Sequence, residues 1–162
     1  MTTYAHLVPM PVGDLFTAVD ESGVVLRLQF AAYRDCGDLT AGLKRPIEWN
    51  ADRCAHVERQ LAEYFGDRRR VFDLEIDLQG SSFQKQVWGE LQRIPFGATM
   101  NYRQLANRLG RPAATRAVGR ASASNPICIV VPCHRVIGAN GTLTGFGGGV
   151  DIKRFLLQHE RK

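Results

Sequence analysis

The sequence predicts an α/β protein of the α+β kind, with a small strand–helix domain over residues 1–79 and a mostly helical domain over residues 80–162. Three observations carry this reading. Apolar residues alternate with a period of two in the first half, around one stretch of helical period. Two short helical patterns meet at a Gly-Arg-Pro turn in the second half. The charge also changes sign between the halves: residues 1–80 hold nine Lys+Arg against thirteen Asp+Glu, and residues 81–162 hold twelve against three. The 162 residues, 44% apolar and 23% charged, have the composition of an ordinary globular protein with room for a core. No apolar run approaches the ~20 residues that cross a bilayer, and no basic start leads into an apolar stretch, so a cytoplasmic protein without membrane contact is expected.

Leu15–Val19 and Val24–Phe30 are apolar and alternating, with the turn sequence Asp20-Glu21-Ser22-Gly23 between them, which predicts a hairpin. Residues 31–50 mix charge, Gly and Pro and read as an irregular connection. Cys54, Val57, Leu61 and Phe65 recur at helical spacing over Ala51–Phe65, and Gly66 closes the pattern. Phe72, Leu74, Ile76 and Leu78 alternate with polar residues, as in a half-buried strand. Ser81 and Gln84 form a capping-box pair ahead of a helix with Phe83, Val87, Trp88, Leu91 and Ile94 on one face, stopped at Pro95-Phe96-Gly97.

Tyr102–Leu109 reads as a short helix with Leu105, Ala106 and Leu109 inward. After Gly110-Arg111-Pro112, a second helix runs from Ala113 to about Ser122, with Ala117, Val118 and Ala121 buried. This is the pattern of a helix-turn-helix. Arg116 and Arg120, four residues apart, share one face of the second helix. From Leu91 to Val150 there is no carboxylate but there are seven arginines, Arg103 and Arg135 among them. Such a one-sided field suits a polyanion, most simply nucleic acid. A tightly packed helical hairpin with solvated arginines is the alternative.

The four cysteines, Cys36, Cys54, Cys128 and Cys133, match no common zinc spacing, so neither a metal nor a cofactor is expected. Cys54 falls on an apolar helix stripe and Cys128 inside the apolar run Ile127–Val131, which reads as a buried strand; both are assigned to the core. Cys133 follows Pro132, which ends that run, and precedes His134 and Arg135. A thiol becomes nucleophilic when a base or positive charge favours its thiolate, so Cys133 is either a reactive cysteine served by His134 or a structural one. His134 needs an orienting group. Of the three carboxylates in this half, Glu160 ends a helix with Ile152, Phe155, Leu156 and His159 inward and fits that role. The cluster Gly145-Phe146-Gly147-Gly148-Gly149 lacks the ending of a phosphate loop; it either approaches a ligand closely or merely connects.

Pro132-Cys133-His134-Arg135-Val136, preceded by Asn125-Pro126 and followed by Gly141-Thr142-Leu143-Thr144-Gly145-Phe146, resembles the O6-alkylguanine-DNA alkyltransferase family, most of all its bacterial Ogt type. The match runs from about Ser81 to Glu160. It implies a ribonuclease H-like first domain and a winged-helix-like second one. It implies a monomer that could assemble cooperatively on its partner, double-stranded DNA carrying O6-alkylguanine, with O4-alkylthymine an open second substrate. Cys133 would accept the alkyl group once and irreversibly, with His134 as base through a water and Glu160 orienting it. Asn125 would brace the turn, and Tyr102 would press on the DNA and bond the departing guanine. Arg116 would fill the space left by the flipped nucleotide, with Arg103 and Arg120 on the DNA surface. Val136, Phe146 and Gly147 would line the base, and Lys153 matches a family lysine near the site. The chain departs from its relatives in having Phe146 where Tyr is frequent, and Ala139 and Gly147 where hydroxyls occur. Two other readings remain, a Cys-His-Glu hydrolase and a helix-turn-helix binder with a structural Cys133.

Overall fold

The computed structural model describes residues 1–32, 34–43, 46–143 and 149–161. The chain divides into two compact units, Met1–Leu78 and Gln79–Lys162.

The first unit is built on a four-stranded sheet of order β3-β2-β1-β4. Strands β1 (Thr3–Met10), β2 (Gly13–Val19) and β3 (Val25–Phe30) are antiparallel neighbours, and β4 (Ile47–Trp49) pairs in parallel with β1. The predicted β2–β3 turn forms because the Asp20 carboxylate accepts from the amides of Ser22 at 2.8 Å and Val24 at 3.0 Å. The sequence pattern does not announce β1. Two of its buried positions are Thr3 and Ala5, so it presents no apolar alternation to read. The stretch predicted as irregular is likewise more ordered than expected: it holds β4 and a short helix α1 (Cys36–Thr40), N-capped by Asp35.

Helix α2 (Ala55–Phe65), led in by a turn of 3-10 helix, buries Cys54, Val57, Leu61 and Tyr64. Phe65, expected inward, is only half-buried, and Tyr64 takes the core position. The alternation over 72–78 holds as burial, with Phe72, Leu74, Ile76 and Leu78 each half-covered, but the segment is not a strand. It makes one parallel bridge, Val25 to Ile76. Its second anchor is Gln60, whose buried amide donates to Asp73 O and accepts from Asp73 N, both at 2.9 Å. A buried side-chain amide thus replaces the ladder that the alternation implied.

The second unit opens with α3 (Ser82–Leu91), whose capping box forms as predicted: Gln84 N donates to Ser81 Oγ at 3.1 Å and Ser81 N to Gln84 Oε1 at 2.9 Å. Val87, Trp88, Leu91 and Ile94 are buried. The Trp88 indole donates to Ala121 O at 2.8 Å, tying α3 to α5 (Thr115–Ala123). Gly80 has no side chain because a Cβ there would come within 2.5 Å of the Trp88 ring. Helix α4 (Tyr102–Arg108) has its own capping box, Asn101 with Gln104. It buries Leu105 and Ala106 against the unit's interior and joins α5 through a 3-10 turn at Pro112–Ala114, which completes the predicted helix-turn-helix. Short strands β5 (Met100–Asn101) and β6 (Val136–Ile137) pair in parallel. Helix α6 (Val150–Glu160) closes the unit. Its inward residues are Lys153, Leu156, Leu157, His159 and Glu160, Leu156 and His159 as expected, whereas Phe155, expected inward, is 41% exposed and stacks on His159. Charged residues occupy both ends of that set, which hides it from an apolar-periodicity reading.

Candidate active site

The site is assembled from the loop between α5 and β6 and the two ends of α6. Ile127–Val131, expected as a strand, is a buried turn. Ile129 adopts a left-handed φ of 72°, Val131 N donates to Ile127 O at 3.0 Å, and Val130 N donates to Cys128 O at 2.8 Å. A β-branched residue in that conformation is strained and needs surroundings that fix it. Asn125 does so: its buried amide donates to Val131 O at 2.7 Å and accepts from Ile127 N at 2.9 Å. An apolar run signals burial but not backbone direction, which is why its pattern suggests a strand.

The turn delivers Cys133 into a single 3-10 turn, Cys133–Arg135. Consecutive residues of a strand would point to opposite faces; the 3-10 turn instead lets Cys133, His134 and Arg135 face one interior. His134 is fully buried, and its Nε2 lies 2.7 Å from Glu160 Oε2. Burial lowers the imidazole pKa, with Arg135 and Lys153 adding to the effect and Glu160 opposing it. The ring is therefore neutral at pH 7, and with Glu160 as acceptor the proton sits on Nε2. That leaves the lone pair on Nδ1, a buried atom with no partner among the described residues. Such an atom is available to take a proton.

Glu160 itself is clamped by Arg135. Arg135 Nε donates to Oε1 at 2.7 Å, Nη2 to Oε2 at 3.0 Å, and Nη1 to Ile94 O at 2.6 Å. The Gly97 amide also reaches Oε1 at 3.4 Å. In the sequence Arg135 counts with the positive surface; in the structure it is 6% exposed and spends its charge inside. Its signal lies in Glu160: a buried carboxylate in a half with almost no other carboxylates requires a cation to match it.

Cys133 is 6% exposed, yet its thiol pKa is lowered. The first cause is a hydrogen bond from the Cys128 thiol. Burial opposes it, while Asn125, the Lys153 charge and the residue's own amide add to it. Cys128, assigned to the core, is half-buried and stands beside the nucleophile. Because the run folds back on itself, its inward-facing neighbours are those of the site. Lys153 is buried, and burial lowers its pKa against the pull of Cys133. Its Nζ lies 5.8 Å from the Tyr102 ring centroid. Burial, then the Cys133 charge, raises the Tyr102 phenol, which keeps it a proton donor. Val136 is buried in β6, with its amide donating to Cys133 O. Arg103, Arg116 and Arg120 lie on α4 and α5, the two helices of the helix-turn-helix. Phe146 and Gly147 lie outside the described residues. No group of three His, Cys, Asp or Glu side chains among the described residues could hold a metal ion.

The family model for the DNA-binding domain of 6-O-methylguanine DNA methyltransferase matches residues 82–162. A methylated-DNA–protein-cysteine methyltransferase of Methanosarcina mazei is 43% identical over 159 residues, covering 97% of this chain and 96% of that protein. The chain belongs to the methylated-DNA–protein-cysteine methyltransferase family. A family member of Salmonella typhimurium is 44% identical over 155 residues, covering 93% of this chain and 91% of the relative. The crystal structure of the O6-methylguanine methyltransferase of Mycobacterium tuberculosis superposes with a TM-score of 0.89 at 38% identity, covering 98% of this chain and 93% of that one. A structure of Mycobacterium tuberculosis OGT in complex with DNA gives 0.86 at 37% identity, covering 99% of this chain and 93% of the other. The mixed α/β architecture of the methyltransferase, sheet first and helices second, is thus that of solved relatives along nearly its whole length.

Proposed function

We propose that this chain repairs DNA by moving the alkyl group of O6-alkylguanine onto Cys133, once per molecule. The observation that carries the reading is the open Nδ1 of a neutral, Glu160-bound His134 one residue from a buried sulfur whose thiolate is favoured. A water between them passes the Cys133 proton to Nδ1. The target atom is buried in a duplex, so the base is first everted, which costs a few kcal/mol and less for a damaged pair. Arg116 enters the vacated space, while Arg103 and Arg120 hold phosphates. The Val136 backbone meets the base, with Lys153 near the sulfur; the resemblance adds Phe146 and Gly147, outside the described residues, as base contacts. The thiolate attacks the alkyl carbon, the carbon–oxygen bond breaks, and guanine leaves protonated by Tyr102.

The product is a thioether. A thioester intermediate would yield to water, but a thioether has no such route, so the reaction ends with the protein spent. On this reading residues 1–79 form an accessory α/β domain and 80–162 the DNA-binding and alkyl-acceptor domain of a cytoplasmic monomer that uses no cofactor. Among the described residues no helix is long and apolar enough to cross a membrane.

Duplex DNA bearing radiolabelled O6-methylguanine tests the proposal. Label should appear on Cys133 and saturate at about one per protein. Repeated turnover would identify a hydrolase instead, and binding without transfer a DNA-binding module.

A further inference from the structure

We propose that Cys128 is a resolving thiol: after a hydroperoxide oxidises Cys133, Cys128 captures it as a disulfide, so that the pair forms a reversible oxidation site. The placement of the two sulfurs carries this. The turn at Ile127–Val131 reverses the chain, Cys128 pairs across it with Val131, and Cys133 follows two residues later. The Cys128 thiol is thereby within hydrogen-bonding reach of the Cys133 sulfur. Cys128 is half-buried and in contact with Asn125 O at 3.8 Å, so it occupies the more accessible position of the two. Asn125 fixes both ends of the turn and thus the approach of the sulfurs. The remaining cysteines belong to the other unit.

Hydrogen peroxide supplies the two oxidising equivalents. The Cys133 thiolate attacks one peroxide oxygen, forming S–O as O–O breaks, and hydroxide leaves to give a sulfenic acid. The Cys128 sulfur then attacks the Cys133 sulfur. The S–S bond forms, S–O breaks, and the hydroxyl departs as water with the Cys128 proton. Two thiols lose two electrons and one peroxide becomes two waters. Capture competes with further oxidation of the sulfenic acid to the irreversible sulfinic acid. The consequence for alkyl acceptance rests on the function proposed above, but the modification does not, and neither does its test.

Trypsin cuts after Arg120 and Arg135, so residues 121–135 leave as one peptide carrying both thiols. The intact protein, fully reduced, is treated with a few equivalents of hydrogen peroxide, quenched with N-ethylmaleimide and mapped without reductant. The expected peptide is about 2 Da lighter than the dithiol, takes no maleimide, and regains two reactive thiols with dithiothreitol. In Cys128→Ser and Cys128→Ala the peptide should instead gain about 32 Da at Cys133, which dithiothreitol does not remove. The proposal is overturned if the unmodified sequence gains that mass as the variants do, if Cys133 links to Cys36 or Cys54 instead, or if both thiols stay reactive.

Discussion

Cys54 and Cys133 are both buried thiols, and their surroundings treat them in opposite ways. Cys54 lies under the sheet of the first unit, its sulfur 3.8 Å from Tyr4 O and 4.0 Å from Thr17 O. Burial, reinforced by Glu58, pushes its pKa up to about 11. Cys133 sits in a polar interior where donors and the Lys153 charge outweigh burial. Burial alone makes a thiol inert; what ionises it is the set of donors that the fold turns toward it. The two interiors differ in the same sense. The core around Ala5, Phe16, Ala18 and Leu39 is apolar, whereas the second unit buries Asn125, His134, Arg135, Lys153 and Glu160. Such a network costs more to desolvate than hydrocarbon of equal volume, so its presence marks a site rather than a means of stability.

The largest expected difference is chemical. Cys133→Ala should abolish label transfer from methylated DNA. Cys54→Ala should keep about one label per protein and cost only about 1–2 kcal/mol of stability. Transfer surviving in the first variant, by radiolabel counting, would erase the contrast.

The next concerns the ion pairs. Glu160→Gln leaves the Arg135 charge buried without its counter-charge and should cost ~3–5 kcal/mol. The more exposed Arg69–Glu63 pair of the first unit, at 3.3 Å, should lose no more than about 1 kcal/mol in Glu63→Gln. Urea titration of both variants measures the gap, and equal losses would place the two pairs in equivalent environments.

Arg116→Ala should slow repair of duplex by about tenfold or more while leaving reaction with free O6-benzylguanine near its original rate. Single-turnover rates on the two substrates decide it, because equal slowing would mean that Arg116 has no part in eversion.

The smallest effect is set by protons. The folded pKa of His134 lies below the ordinary imidazole value, so the unfolded chain binds more protons in acid. Stability should be steady above about pH 6.5 and fall as the pH drops below it through the folded value. The His134→Gln variant should lose that part of the slope in thermal melts taken across this range, and an unchanged slope would assign the titration elsewhere.

Much of this is legible in the residues. The β2–β3 hairpin, the Ser81–Gln84 capping box and the helix-turn-helix follow from local patterns that the chain satisfies locally. The pairing of His134 with Glu160 follows from the scarcity of carboxylates in the second half. What escapes is set by tertiary context. β1 hides because small and polar residues face its core. The segment 72–78 has the right alternation but is held by Gln60 and Val25 rather than by a ladder. Apolarity shows that Ile127–Val131 is buried, but not that Ile129 turns the chain left-handed and brings Cys128 to Cys133. Arg135 looks like its neighbours in the sequence and is distinguished only by the carboxylate it meets.

The bond from the Trp88 indole to Ala121 O has an optical consequence. The chain has two tryptophans, and Trp49 is 53% exposed in the other unit whereas Trp88 is sealed. With Trp49 replaced by Phe, the remaining emission comes from a blue-shifted fluorophore anchored to the backbone of the helix that carries Arg116 and Arg120. The molecule thus contains a native spectroscopic gauge of how that helix is seated, readable without an attached dye.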